Sequence, residues 1–349
     1  MSFSYGIMSM NISTKESIMP LDSNKKLYIM YILKVLREES DENHPLKQAE
    51  IISKIKSKFN VENIDRKTIS RSIDSLIDIG IDIVKLEGGG CYLAERELEP
   101  SEVTFLIDAI FSSRALNQKQ AKDLSKKLSQ MLSVYQRDRF KYVHKSDEVV
   151  RTDNKQLFLN IDLISEAIEK GKQISFNYDR HYFADKKIAE QKEKEYIINP
   201  YFMVNNQGKY YLVCNYDYFD SIANYKVEQI KNVKILDTDI KPITKLKGCE
   251  NGLDKAKYIN ENIYMFSTNT ITATIKIEDE YAVNYVYDWF GKDARVYSQD
   301  GVIMASVRVN ELAIIYWCLQ YGENVELVSP VETRNKIKEI VSQMNKKYS

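Results

Sequence analysis

Residues 199–230, NPYFMVNNQGKYYLVCNYDYFDSIANYKVEQI, decide how the rest of the chain is read. Apolar and aromatic residues alternate with polar ones in three short runs, 197–204, 209–216 and 222–230, separated by turn-forming residues. Asn206-Gln207-Gly208 supplies the first tight turn, so three short strands are expected. Just upstream, Ile174, Phe176 and Tyr178 share one face of a half-buried strand over 173–178. Before that strand, 161–170 reads as an amphipathic helix stopped by Gly171. The stretch 186–194 is a strongly charged loop or hairpin tip. A helix followed by a small, strongly bent sheet is expected.

A chain of 349 residues exceeds one ordinary core, so two or three domains are expected. Lys+Arg and Asp+Glu are both 50, which leaves no global charge argument for nucleic acid or membrane and gives weight only to local patches. Cys91, Cys214, Cys249 and Cys318 lie far apart, and the histidines are His44, His144 and His181. That spacing excludes a clustered zinc site, and the cysteines read as reduced, partly buried apolar residues of a cytoplasmic protein. No apolar run reaches the roughly 18 residues of a membrane span; the longest, 312–319, is one short buried helix. Residues 1–20 lack the basic and apolar blocks of a secretory signal and are expected to be a flexible tail.

Toward the N-terminus, Asp22 can cap a helix over 25–37 that is apolar on almost every side, suited to burial between other elements or in a dimer seam. Residues 46–59 carry Ile51, Ile52, Ile55 and Phe59 at helical spacing. A third helix follows Asp65, with Ile69, Ile73, Leu76 and Ile77 on one face and Gly80 just past its end. The opposite face holds Lys67, Arg71 and Asp74, with Thr68 beside them and Arg66 and Ser70 on the flanks. Strands over 82–86 and 91–94 flank Gly88-Gly89-Gly90, so residues 21–98 are expected to be a winged helix-turn-helix. Between residues 45 and 72, seven basic residues oppose three acidic ones, a local excess of about four. The three glycines lack the G-K-[ST] ending of a phosphate loop and read as a wing tip. Residues 99–155 are expected to be a connector of two helices, 101–115 and 118–135, and a charged hinge.

On the C-terminal side, 271–349 shows the order βαββαβα, which predicts a ferredoxin-like α/β domain within 246–349.

Pro200, Gly208, Tyr210-Tyr211-Leu212 and Lys226 stand in the order of the signature of the WYL-domain transcriptional regulators, and the chain resembles that family from about residue 21 to its end. Tyr210 takes the place of the family's usual Trp, and Gln229 that of a second Arg. Asp300-Gly301, the Trp317 helix ending at Tyr321-Gly322, and Val325-Glu326-Leu327 before Pro330 resemble the C-terminal extension that often follows the domain. The resemblance implies an Sm-like, SH3-related β barrel as the sensor domain, 156–245, and a ligand site on it.

Two sets of candidate residues follow. Arg66, Lys67, Thr68, Ser70, Arg71 and, from the wing, Lys85 are expected to meet double-stranded operator DNA, with Arg71 bonding guanine bidentately. Arg96 is a further candidate for the DNA backbone. The plainer alternative is a solvated helix face. Tyr178, Arg180, Tyr201, Tyr210, Lys226 and Gln229, together with Tyr225, mix stacking surfaces with charge as a pocket for a nucleotide or single-stranded oligonucleotide needs. The plainer alternative is that strand tyrosines are core. With Gln229 in place of Arg, Arg180 or Lys231 is available as a substitute cation. No catalytic motif, cofactor loop or metal set is present, so a non-enzymatic, ligand-controlled transcription regulator is expected, acting as a homodimer through 246–349. The alternative is an RNA- or single-strand-binding module without a promoter of its own.

Overall fold

The computed structural model describes residues 27–137, 152–179, 181–184, 187–190 and 194–349. The expected tail, the Asp22 cap and most of the charged hinge lie outside these residues. The chain is a mixed α/β protein that divides into two units, residues 1–110 with 122–148, and 111–121 with 149–349.

The first unit is mainly helical. Helix α1 (Tyr28–Glu39) buries Tyr28, Ile32, Val35 and Leu36, while Met30 is exposed. Ile29, Tyr31 and Leu33 are half-buried against the same core, so of the apolar residues spread round this helix Met30 is the exposed one. Helix α2 (Gln48–Phe59) buries Ile51 and Ile55. Its first turn is closed by Glu50, whose carboxylate accepts from the Lys47 N–H at 2.7 Å. Helix α3 (Arg66–Asp78) is capped by Asp65, which accepts from the Thr68 N–H at 2.7 Å. It buries Ile69, Ile73 and Leu76. Ile77, expected on that face, is exposed, because it lies about 80° round the helix from Ile69.

Strands β1 (Ile83–Lys85) and β2 (Cys91–Leu93) form the expected antiparallel hairpin. Leu46 adds a third rung to it, exchanging two 2.9 Å backbone hydrogen bonds with Cys91. Helices α4 (Pro100–Ser112), α5 (Gln118–Ser129) and α6 (Val134–Arg137) follow. The single helix expected over 118–135 is thus broken. The Ser133 side chain accepts from the Gln136 N–H at 3.1 Å and restarts the chain as a new helix.

The second unit opens with α7 (Leu157–Lys170), which begins before the expected 161 and ends at Gly171 in the left-handed conformation (φ 62°). Strands β3 (Lys172–Tyr178), β4 (His181–Ala184), β5 (Lys187–Glu190), β6 (Glu195–Asn206), β7 (Lys209–Asn215), β8 (Ile222–Lys226) and β9 (Ile230–Asp239) follow. β4 and β5 pair as a hairpin, so part of the charged stretch 186–194 is strand.

The other five strands lie in the order β8-β7-β6-β3-β9. The run 222–230 is not one strand: it leaves β8 at Val227, makes a 3-10 turn over Val227–Gln229 and becomes β9 at the opposite edge. Two edges joined by three residues require a strongly curled sheet, yet no closed barrel forms. β6 supplies much of the curl, since Glu195–Ile198 pairs with β3, Asn199–Asn206 pairs with β7, and the register shifts beside Pro200, which has no N–H to donate.

A short helix, α8 (Lys255–Glu261), precedes the last sheet. Then come β10 (Thr270–Ile277), α9 (Val283–Phe290), β11 (Arg295–Gln299), β12 (Val302–Asn310), α10 (Glu311–Gln320), β13 (Val325–Ser329) and α11 (Val331–Tyr348). The strands form an antiparallel sheet in the order β11-β12-β10-β13, and Ile275, Val307, Val309, Ile314 and Trp317 form part of its core. All four cysteines are free and buried. No helix among the described residues is long and apolar enough to cross a membrane.

Candidate nucleic-acid and ligand surfaces

The buried stripe of α3 fixes which residues it turns outward. Arg66, Lys67 and Arg71 are exposed, and none of them forms an ion pair among the described residues. Some cations nearby are neutralised, Lys54 by Glu39, Lys58 by Glu38 and Glu39, and Arg37 by Glu97, while Lys47 and Lys56 are exposed without an ion pair among the described residues. The Thr68 N–H is spent on the Asp65 cap. Ser70 borders a hollow of about 190 Å³ between α3 and the wing, shared with Lys85, Leu86 and Gly89. Lys85 pairs with Asp74, so the acidic residue on the outer face of α3 ties the wing to the helix. Arg96 is committed elsewhere. Its guanidinium donates to the carbonyl oxygens of Ser40 at 2.6 Å and Arg37 at 2.7 Å, which makes it a brace of this unit.

On the curled sheet, Tyr178, Lys226 and Gln229 come together. The Tyr178 hydroxyl donates to Gln229 Oε1 at 2.6 Å and accepts from the Lys226 N–H at 3.3 Å. Tyr225 is buried in an aromatic cluster with Phe176, Tyr178 and Tyr196, and its hydroxyl bonds that of Tyr216. The tyrosines here are mainly core. Tyr201 belongs to a different cluster, with Phe202, Tyr211, Val213 and Met265, and its hydroxyl donates to Lys241 O at 2.9 Å. Arg180 lies outside the described residues. Lys231 pairs with Asp179 at 2.6 Å.

A second group, absent from the sequence-derived set, surrounds Lys226. Tyr211 stands opposite Lys226 in the β7/β8 register, so Lys209, two residues earlier, shares that face and sits diagonally from it. The Glu228 carboxylate, buried just beyond β8, accepts from the Tyr210 N–H at 3.4 Å. Burial pushes the Glu228 carboxyl up, and its backbone hydrogen bonds, Lys226 and Lys209 offset this only in part. Burial pushes Lys209 down, and the charges of Lys226 and Arg114 push it further. Arg114 is held there by its own N–H, which donates to Gly208 O at 2.9 Å.

A family model of the WYL domain matches residues 160–235, which hold α7, the curled sheet and the Lys226 face. Residues 160–235 are a WYL domain. A WCX domain matches residues 269–344, the last sheet with its helices. The chain is 24% identical to an uncharacterized HTH-type transcriptional regulator of Bacillus subtilis, YobV, over 81% of this chain and 89% of that protein. Among solved structures it is similar to proteasome accessory factor B/C (PafBC) of Arthrobacter aurescens, at 12% identity and a TM-score of 0.28 over 97% of this chain. It spans about half of that chain, 51%. It is also similar to a CRISPR Cas-related protein, at 13% identity and a TM-score of 0.37, covering 90% of this chain and 97% of that one.

Within the WYL domain, Gln229 holds the Tyr178 hydroxyl, so the place of the second Arg carries a neutral structural contact. Alternation alone puts Lys209 on the Tyr211 side of β7, but its place diagonal to Lys226 and that of Glu228 beyond β8 follow from the register and the 3-10 turn seen in the structure. Arg114 was not legible in the sequence, because only tertiary folding brings it to Gly208. Among the described residues no group of three or more His, Cys, Asp or Glu is arranged to hold a metal.

Proposed function

We propose that this WYL-domain chain is a transcriptional regulator that reads duplex operator DNA through α3 and the β1–β2 wing, under the control of a nucleotide or single-stranded oligonucleotide at the WYL domain. The observation that carries this is the clustering of Arg66, Lys67 and Arg71 on one solvent-facing side of a capped helix, without an ion pair among the described residues. Around it Arg37, Lys54, Lys58 and Lys85 are matched by carboxylates, and Lys47 and Lys56 of the α2 region add further exposed cations. Unpaired cations on one helix face are what phosphate contact and guanine recognition require. Similarity to a protein named as an HTH-type transcriptional regulator supports the same conclusion. The curled five-stranded sheet then acts as an opened Sm/SH3-like sensor and the last sheet as a ferredoxin-like domain. The exposed Val341, Met344 and Tyr348 of α11 suit a homodimer seam. In a dimer, ligand binding that favours one of two states alters the spacing of the two α3 helices against half-sites set about 34 Å, one helical turn, apart.

The test is fluorescence anisotropy of the protein with duplex DNA from upstream of its own gene, against a scrambled duplex, over a range of salt. A salt-dependent preference for the native duplex is expected. Arg71→Ala should lose about 1–3 kcal/mol of that preference. Lys67→Ala should weaken both duplexes and reduce the salt slope by about one. Equal binding of both duplexes, unaffected by Arg71→Ala, together with single-strand binding lost in Lys226→Ala, would replace the regulator by a single-strand-binding module.

A further inference from the structure

The WYL domain and the segment ahead of it meet at one point of high charge. Gly208 lies in the turn before Lys209 with φ 73°, and a Cβ there would come within 3.2 Å of Ser112 O. The close approach lets Gly208 O accept both the Arg114 N–H at 2.9 Å and the Ser113 hydroxyl at 3.4 Å. The Arg114 backbone is thereby fixed at the turn that precedes Lys209, near enough for its charge to act on Lys209, and Lys209 shares its face with Lys226. The Glu228 carboxylate lies beside Lys209 and Lys226 and accepts the Tyr210 N–H over a long 3.4 Å.

We propose that Arg114, Lys209 and Lys226 form one anion site, that Glu228 is its internal counter-ion, and that a phosphate group of the ligand displaces Glu228 from it. This rests on the WYL domain being the ligand-bearing part of the regulator, and it extends the site beyond residues 160–235 to Arg114. Three cations held together repel one another, and a dianionic phosphate relieves that repulsion more fully than one carboxylate does. The balance at Glu228 agrees, since the cations beside it do not fully offset the effect of its burial. A phosphate from a free nucleotide and one from a single-stranded oligonucleotide present the same chemistry to this site.

The experiment uses the full chain and a fluorescein-labelled oligothymidylate, read by anisotropy, with ATP and pyrophosphate as competitors. Arg114→Ala and Lys209→Ala are each expected to raise the Kd about tenfold, the loss of one charge-assisted contact. Arg114→Lys should recover much of the affinity, and Glu228→Gln should bind the probe more tightly than the parent protein. Displacement of the probe by ATP at low concentration assigns a free nucleotide. Retention against ATP assigns a strand. Parent-like affinity in both alanine variants, weaker binding in Glu228→Gln, or no binding of any probe by the parent protein overturns the proposal. None of these results alters the duplex preference of α3. Loss of that preference alone, with the probe results as expected, would remove the regulator function and leave the anion site standing.

Discussion

Asn199 shows what a single side chain contributes to this fold. It is fully buried at the bend of β6, where its Oδ1 accepts from Gln173 Nε2 at 2.9 Å and from the Lys241 N–H at 3.0 Å. Its Nδ2 donates to Asn215 Oδ1 at 3.2 Å. One amide therefore joins β3, β6, β7 and the segment after β9 in a sheet whose curl depends on that bend. Asn199→Ala would leave two donors and an acceptor buried without their partner, so a loss of about 3 kcal/mol is expected in urea unfolding. A loss under about 1 kcal/mol would mean that water or a shifted Asn215 satisfies the site. Asn199 was visible in the sequence only as the residue before Pro200. Its partners stand 16, 26 and 42 residues away, distances that strand periodicity does not carry. The same limit applies to the ligand face. Alternation placed Tyr178, Tyr210 and Lys226 on strands, but did not reveal that Tyr178 is occupied with Gln229 or that Tyr201 belongs to another cluster.

Elements with a one-sided apolar pattern were legible, and those without one were not. α3 followed from Asp65, from Ile69, Ile73 and Leu76, and from Gly80; α10 followed from its continuous apolar run. α8 has no buried residue, hence no stripe to read. β9 buries only Ile230 and is held mainly by its ladder to β3, so its Lys, Asn and Asp residues gave a loop-like composition. The 3-10 turn at Val227–Gln229 was hidden because Tyr225 and Val227 continue the alternation of β8 past the point where the chain leaves it. For α3 the start signal has a measurable consequence. Asp65→Ala removes the acceptor of the Thr68 N–H, which should cost about 1 kcal/mol of stability. It also frays the turn that carries Arg66 and Lys67, so duplex affinity should fall further than in Asp65→Asn, which keeps a capping oxygen. Equal DNA affinity in the two variants would show that the first turn of α3 is held by packing and not by its cap.

At the scale of the whole molecule, the buried and paired carboxyls shift in two directions, and Glu228 stands against the others. In the first unit, burial alone would raise Asp41, but hydrogen bonds from Ser133 and His44 overcome it and hold its carboxyl below the ordinary range. Glu39 is held low in the same way, against burial, by Lys54 and Lys58. Groups depressed in the folded state stabilise it above their unfolded pKa values, near 4, and that contribution is lost only as pH falls through the lower folded values. Between about pH 7 and pH 5 these two carboxylates are therefore neutral in effect. Glu311 in the second unit, held low mainly by Lys336, behaves likewise. Glu228 does the reverse. Its carboxyl is raised by burial, so its charged form opposes folding at high pH, and the opposition is relieved as pH falls through the folded pKa toward the ordinary value. The chain has two tryptophans, Trp289 and Trp317, both in the second unit, so tryptophan fluorescence reports that unit alone. The urea midpoint followed by fluorescence should rise as pH is lowered from about 7 to about 5, and Glu228→Gln should abolish the rise while lifting the midpoint at about pH 7. If Glu228→Gln retains the full pH dependence, another group titrates in this window and Glu228 is not the strained carboxyl of the fold. If the variant instead lowers the midpoint at every pH, Glu228 serves the folded chain as a net stabilising partner of Lys209 and Lys226.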